Sequence, residues 1–266
     1  MSADIKQIRI RIKSVGSTLQ LTKAMGLVAS SKIKRATEGM IHANEFASAY
    51  DEAISLLSSC AECEKSPYLK KGEGKTKIIV IAGDRGLAGG YNANVFRLAS
   101  KFEGAEMIPI GKRACDRYGA ERISAESFSD SDAAALAGSL CEEFSEGGFS
   151  RLGIIKTEYV SIMTQNAVIG WILPLEKKEN SKEISVLFEP DELTVLNTAV
   201  PSYVAGKITA AVRESFACEI AARRMAMDSA GKNAQKMIDD LTLEYNRVRQ
   251  GAITQEITEI VAGSGN

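Results

Sequence analysis

A chain of 266 residues can bury one sizeable core, and its 45% hydrophobic and 25% charged content is that of an ordinary globular protein. It contains no run of 18 apolar residues, which argues against a membrane-spanning helix, and the start MSADIKQIRIRIK lacks the apolar stretch of an export signal. The net charge of -1 hides an uneven field. Residues 1–35 carry eight Lys/Arg against one Asp, residues 202–266 carry eight of each sign, and the middle is acidic. Such asymmetry points to an acidic partner or a polyanion at one end.

All five prolines (Pro67, Pro109, Pro174, Pro190, Pro201) lie between residues 66 and 202, so each end is free to be one long helix. Over residues 1–66, Ile5, Ile8, Ile12, Val15, Leu19, Thr22, Gly26, Ala29, Ile33, Ala36, Met40, Ala43 and Ala47 recur in 3-4 alternation. That period predicts a coiled-coil seam. Its residues shrink after Leu19, so Gly26 and Ala29 are expected to mark tight packing. Cys60 and Cys63 make a single CxxC pair, which fills half a zinc site at most, and the sole histidine, His42, is distant in sequence. No metal site is expected, and the five scattered cysteines fit a reducing compartment.

The middle predicts an open sheet with helices on its faces. Lys77–Ala82 reads as a buried strand, followed by a glycine turn, Gly83–Gly90, and a helix from about Asn92 to Phe102. Glu106–Ile110 reads as a strand, Lys112–Tyr118 and Ser131–Glu146 as helices, and Arg151–Ile155 and Gln165–Leu175 as strands. The glycine turn precedes a helix as a phosphate cradle would. It matches neither GxGxxG nor GK[ST], however, and Asp84 and Arg85 stand at its mouth. A structural turn or a protein-docking loop is preferred, with nucleotide binding as the alternative.

The last helix is expected from Pro201 and Ser202. One stripe runs through Val204, Ile208, Ala211, Ser215, Cys218, Ala222 and Met225, and a second through Ala234, Ile238, Leu241, Tyr245, Val248 and Ala252. The register shifts near Gly231. One seam at each end predicts an α/β protein in which the terminal helices form a long antiparallel coiled coil with a Rossmann-like open-sheet domain between them. The expected divisions are 1–66, 75–192 and 202–262. Two separate helices docking on a larger partner is the alternative. No HExxH, GxSxG or paired-carboxylate motif occurs, so no catalytic residue is expected. The basic first helix also fits a scaffold or a nucleic-acid-binding rod, although it carries few aromatics for stacking.

Three blocks carry a specific resemblance. The first is IRIRIKSV (Ile8–Val15) with LTKAM (Leu21–Met25) and VASSKIKRA (Val28–Ala36). The second is DRGLAGGYNAN (Asp84–Asn94). The third is RRMAMD (Arg223–Asp228) with LTLEYNRVRQ (Leu241–Gln250) and ITQEITEIV (Ile253–Val261). In order and spacing the chain resembles the gamma subunits of F-type ATP synthases over nearly its whole length. The resemblance implies a central rotor stalk that couples ion-driven rotation of a c ring to ATP synthesis or hydrolysis at beta subunits, without catalysis or cofactor of its own. It implies alpha and beta subunits, epsilon and the c ring as partners, with no nucleic acid and no direct membrane insertion. The place implied is peripheral, at the cytoplasmic face of a bacterial cell membrane.

The same resemblance implies beta-subunit contacts through Arg249 and Gln250, supported by Thr254 and Glu256, and through Lys23, Lys32, Lys34 and Arg35. It implies a coupling region at Met25 and Arg223. Asp84, Arg85, Tyr91, Asn92 and Asn94 are the expected docking surface of the foot that meets epsilon and the c ring.

Overall fold

A computed structural model describes residues 2–177 and 188–263. Within the α/β domain expected at 75–192, residues 178–187 lie outside the described residues, as do Met1 and Ser264–Asn266. The chain divides into two compact units. One joins Met1–Ser30 to Arg223–Asn266, and the other is Ser31–Ala222. This differs from the three-part division expected at 66 and 202, because each terminal helix contributes to both units.

In the first unit, helix α1 (Ser2–Ser58) and helix α5 (Glu192–Gly263) contribute their outer parts. They run antiparallel. Arg9 donates to the Tyr245 hydroxyl at 2.7 Å, a Cβ on Gly231 would lie 3.6 Å from Thr22 Oγ1, and one on Gly26 would lie 3.6 Å from Met227 Cβ. The α1 seam is as the period predicts: Ile5, Ile8, Ile12 and Val15 are half-buried, and Leu19, Thr22 and Ala29 are buried. On α5 the buried residues are Met227, Ala234 and Leu241, one per heptad. Met227, outside the expected stripe, takes the buried place there, while Met225 is half-buried. Gly26 does not mark obligatory close packing, since an added methyl would meet its neighbour at an ordinary contact distance.

In the second unit, strands β1 (Thr76–Ile81), β2 (Glu106–Ile110), β3 (Arg151–Tyr159) and β4 (Gln165–Leu173) form one sheet in the order β2-β1-β3-β4. The first three are parallel, and β4 returns antiparallel to β3 through a tight turn at Ser161–Thr164. Central β1 is buried on both faces, as its unbroken apolar run requires. Ile78 and Val80 pack against Val95 and Ala99 of α2 (Tyr91–Ala99) and Ala114 of α3 (Lys112–Tyr118). Ile79 and Ile81 share the other face with Ala137 and Phe144 of α4 (Asp130–Ser145), Ile54 and Leu57 of α1, and Val204 and Ile208 of α5. Ser129 starts α4 in a reciprocal cap with Asp132.

Two helix ends depart from expectation. α1 stops at Ser58, and short 3-10 turns at Ala61–Lys65 and Pro67–Leu69 lead the chain away. α5 starts at Glu192, so Pro201 lies inside it. The true cap is Asp191, whose carboxylate accepts from the amide and hydroxyl of Thr194 at 2.9 and 2.8 Å. A proline in a helix interior costs about 3 kcal/mol. Burial of Leu196, Val200, Tyr203 and Val204 on either side of it offsets that cost.

Candidate partner-contacting surfaces and the glycine loop

The glycine turn, the one feature of the sequence that invited a ligand, is filled from within. Glu219 of α5 is 2% exposed, and its two carboxylate oxygens accept from the backbone amides of Asp84 and Arg85, each at 3.3 Å. Gly83 is needed for this approach, because a Cβ there would lie 2.6 Å from the Glu219 carboxyl carbon. The amides that would cradle a phosphate already hold an anion, so the nucleotide reading of this turn is removed.

Asp84 turns the other way. It accepts from Lys112 N at 3.0 Å, Ala125 N at 2.9 Å, Glu126 N at 3.0 Å and Ser124 Oγ at 2.6 Å. Burial opposes its ionisation, but the hydrogen bonds from Ser124 and the three amides outweigh burial and hold its pKa below the usual aspartate value. Asp84 therefore ties the end of β1 to the start of α3 and to the segment before α4. Gly111 caps α3 where a side chain is impossible, with a φ of 95° and the Ala82 carbonyl 1.9 Å from any added Cβ.

Much of the expected docking loop is thus committed inside the chain. Tyr91 is buried and donates its hydroxyl to the Ser215 carbonyl at 2.9 Å. Asn92 Oδ1 accepts from Gly83 N at 2.9 Å, and Asn94 accepts from Arg97. Tyr91 is corrected from surface contact to core residue, because its ring fills the space between the loop and Cys218. Arg85 and Leu87 are exposed, with Leu87 at 62% and a φ of 62°.

The basic residues separate in the same way. Lys23 is exposed in the first unit. In the second unit Lys32 pairs with Glu126 at 2.6 Å, Lys34 lies 3.9 Å from Glu38, and Arg35 is exposed. Met25 and Arg223 are half-buried in the first unit. Arg249, Gln250, Thr254 and Glu256 are all exposed on α5, and the Gln250 carbonyl accepts from the Thr254 hydroxyl at 2.9 Å. Beyond Arg249 and Gln250, interleaved with Thr254 and Glu256 and continuing past them, Ile253, Ile257, Ile260 and Val261 are 45–70% exposed, a run of large apolar side chains at the surface.

The sequence reading missed Glu214 and Glu219. The available signal was their position, as the two acidic residues of a mostly apolar stretch from Ala210 to Ala222 whose other polar members are Arg213 and Ser215. Glu214 is 6% exposed; it pairs with Lys156 and accepts from Tyr159 N at 3.1 Å.

A protein-family profile described as ATP synthase matches residues 4–265. The chain belongs to the ATP synthase gamma chain family. The "ATP synthase gamma chain" of Ruminococcus albus is 39% identical over 282 residues, covering 99% of both chains. That of Clostridium perfringens is 34% identical over 276 residues, covering 98% of both. The fold matches a chain in the Euglena gracilis mitochondrial ATP synthase with a TM-score of 0.68 at 17% identity, over 99% of this chain and 94% of that one. A chain of the Tetrahymena thermophila central stalk and c ring gives 0.61 at 20% identity, over 79% of this chain and 99% of that one. As a gamma chain the protein is a non-catalytic subunit of the ATP synthase. No described helix is long and apolar enough to cross a membrane.

Proposed function

We propose that this gamma chain transmits rotation between a c ring and a hexamer of alpha and beta subunits, and that the end of α5 is the part that turns inside the hexamer. One observation carries the reading: large apolar side chains, Ile253 to Val261, stand at the surface beyond the exposed Arg249 and Gln250. An apolar helix end suits an apolar sleeve, because contacts without directional bonds are not broken and remade at each step. The polar group before it suits a catch. Arg249 brings a rigid fork of donors to a carboxylate or carbonyl of beta, Gln250 donates and accepts beside it, and Thr254 and Glu256 support them. Lys23, Lys34 and Arg35 offer screened, weak attraction of about 0–1 kcal/mol each to an acidic segment of beta. Lys32 contributes only when it leaves Glu126.

The α/β unit meets epsilon and the c ring, with the exposed Arg85 and Leu87 as the part of the glycine loop that touches them, Arg85 by leaving Glu126, from which it lies 3.7 Å. Bacterial relatives support a place at the cytoplasmic face of the cell membrane, held there through the complex. Replacing both Arg249 and Gln250 by alanine is expected to lower steady-state ATP hydrolysis of the assembled complex about tenfold, roughly 1.4 kcal/mol of barrier. Stability of the chain should change by no more than about 0.5 kcal/mol. Unchanged turnover in a correctly assembled complex overturns the catch. Met25→Lys adds a cation beside a basic region. It is expected to leave hydrolysis in place and reduce ion pumping per ATP, measured in vesicles; an equal pumping ratio in variant and parent overturns the coupling role.

A further inference from the structure

Glu214 and Glu219 are the buried carboxylates among the described residues, and the contacts proposed with partner subunits use neither. Burying a carboxylate costs several kcal/mol unless hydrogen bonds replace its water. Here they do, and the donors come from two places: the glycine loop that follows β1, and strand β3. Glu219 accepts from the glycine loop at Asp84 N and Arg85 N. Glu214 accepts from Tyr159 N at the end of β3 and pairs with Lys156. Between them the Ser215 hydroxyl accepts from Thr157 N at 3.2 Å, and the Ser215 carbonyl accepts from the Tyr91 hydroxyl.

Earlier along α5 the contacts with the sheet are of another kind. Leu196, Val200, Val204, Ile208, Ala211 and Val212 pack into the apolar core. Apolar packing is non-directional and holds a helix against a sheet without strongly specifying its rotation about its own axis. Hydrogen bonds lose strength steeply with angle, so a set of them reaching both the glycine loop and β3 specifies that rotation.

We infer that residues 214–219 are the torsional latch of the rotor, and that Glu219, seated on the amides of the glycine loop, is the positioning residue that makes the α/β unit turn with α5. The inference rests on the rotor reading above. The two carboxylates stand five positions apart on α5 and so leave the helix in different directions, Glu219 to the glycine loop and Glu214 to β3. Torque about the helix axis is then resisted by bonds on two sides. Gly83 completes the device, since only a residue without a side chain lets the carboxylate reach the amides.

The test uses the assembled complex, with the hexamer anchored to a surface and a gold rod attached to the α/β unit through Glu121→Cys in a Cys60→Ser background. The angular spread of the rod is recorded during each dwell. Glu219→Gln keeps the shape of the side chain but turns an N–H group toward one of the two amide donors. Gly83→Ala displaces the carboxylate from the other side. Both are expected to raise the angular variance about twofold or more, with unloaded ATP hydrolysis and subunit content as in the parent. Asp116→Asn, which removes an exposed pair with Arg122, should leave the variance as it was. Parental variance in assembled Glu219→Gln and Gly83→Ala complexes overturns the latch. Loss of both variants from the complex overturns it too, because the contact would then serve folding and not torsion. A parent chain that assembles without rotating overturns the rotor reading, and the latch falls with it; a parent that rotates leaves the two outcomes distinct.

Discussion

Between Tyr203 and Ala221, α5 is buried at closely consecutive positions right round its circumference, whereas beyond Arg223 it buries only Met227, Ala234 and Leu241. The first stretch is a core element of an α/β unit. The second is one side of a two-helix seam with a single buried residue per heptad. A helix apolar all round can be satisfied only by surroundings on every side, while a narrow stripe needs one partner. The difference also decides where polar groups can go. In the seam they point to water, and in the core they must find partners, so Glu214 and Ser215 reach β3 and Glu219 reaches the glycine loop.

The largest effect that would break this comparison is a truncation in the core half. Ile208→Ala removes a fully buried side chain and is expected to cost about 3–4 kcal/mol. Ile238→Ala, at a half-buried seam position, is expected to cost about 1 kcal/mol. Trp171, the sole tryptophan, lies in β4 and reports on the α/β unit alone. Denaturant titration should show Ile208→Ala shifting the Trp171 fluorescence transition. Ile238→Ala should shift only the helical dichroism signal. Equal shifts of both signals by both variants would remove the distinction between the halves.

Asp84 sharpens the comparison from the loop side. Asp84→Ala leaves three amides and a hydroxyl without their acceptor, and a loss of about 2–3 kcal/mol is expected. The folded-state pKa of Asp84 is depressed, so its contribution is fully present above the unfolded value and is lost as the pH falls through the lower, folded value. Parent and variant should therefore converge in stability as the pH drops below about 4. A constant difference from pH 7 to pH 3 would count against this role.

The smallest effect belongs to the seam. Gly26→Ala places a methyl at an ordinary distance from Met227 and removes the helix penalty of glycine. A gain of about 0.5–1 kcal/mol is expected in thermal unfolding of the helical signal. A loss would mean that the two helices need glycine there after all.

Sequence alone determined the periodic parts. The 3-4 alternation from Ile5 to Ala47 predicted the α1 positions that are buried or half-buried, because a two-helix seam is specified by spacing and little else. Buried strands announced themselves for a similar reason: β1 needs apolar residues on both faces, so Lys77–Ala82 reads as one run, and the strand is Thr76–Ile81. The polar catch at Arg249 and Gln250 was legible only through family resemblance, since two exposed polar residues on a helix carry no periodic signal. Tertiary structure decided the rest. Pro201 looked like a helix start, and it became an interior residue because burial on both sides outweighs one missing hydrogen bond. The glycine turn looked ready for a phosphate or a partner, and it is held by a carboxylate 135 positions further along the chain. No local pattern could announce that pairing, because the energy of a buried charge depends on which donors the fold brings to it, and those donors are backbone amides that every sequence has.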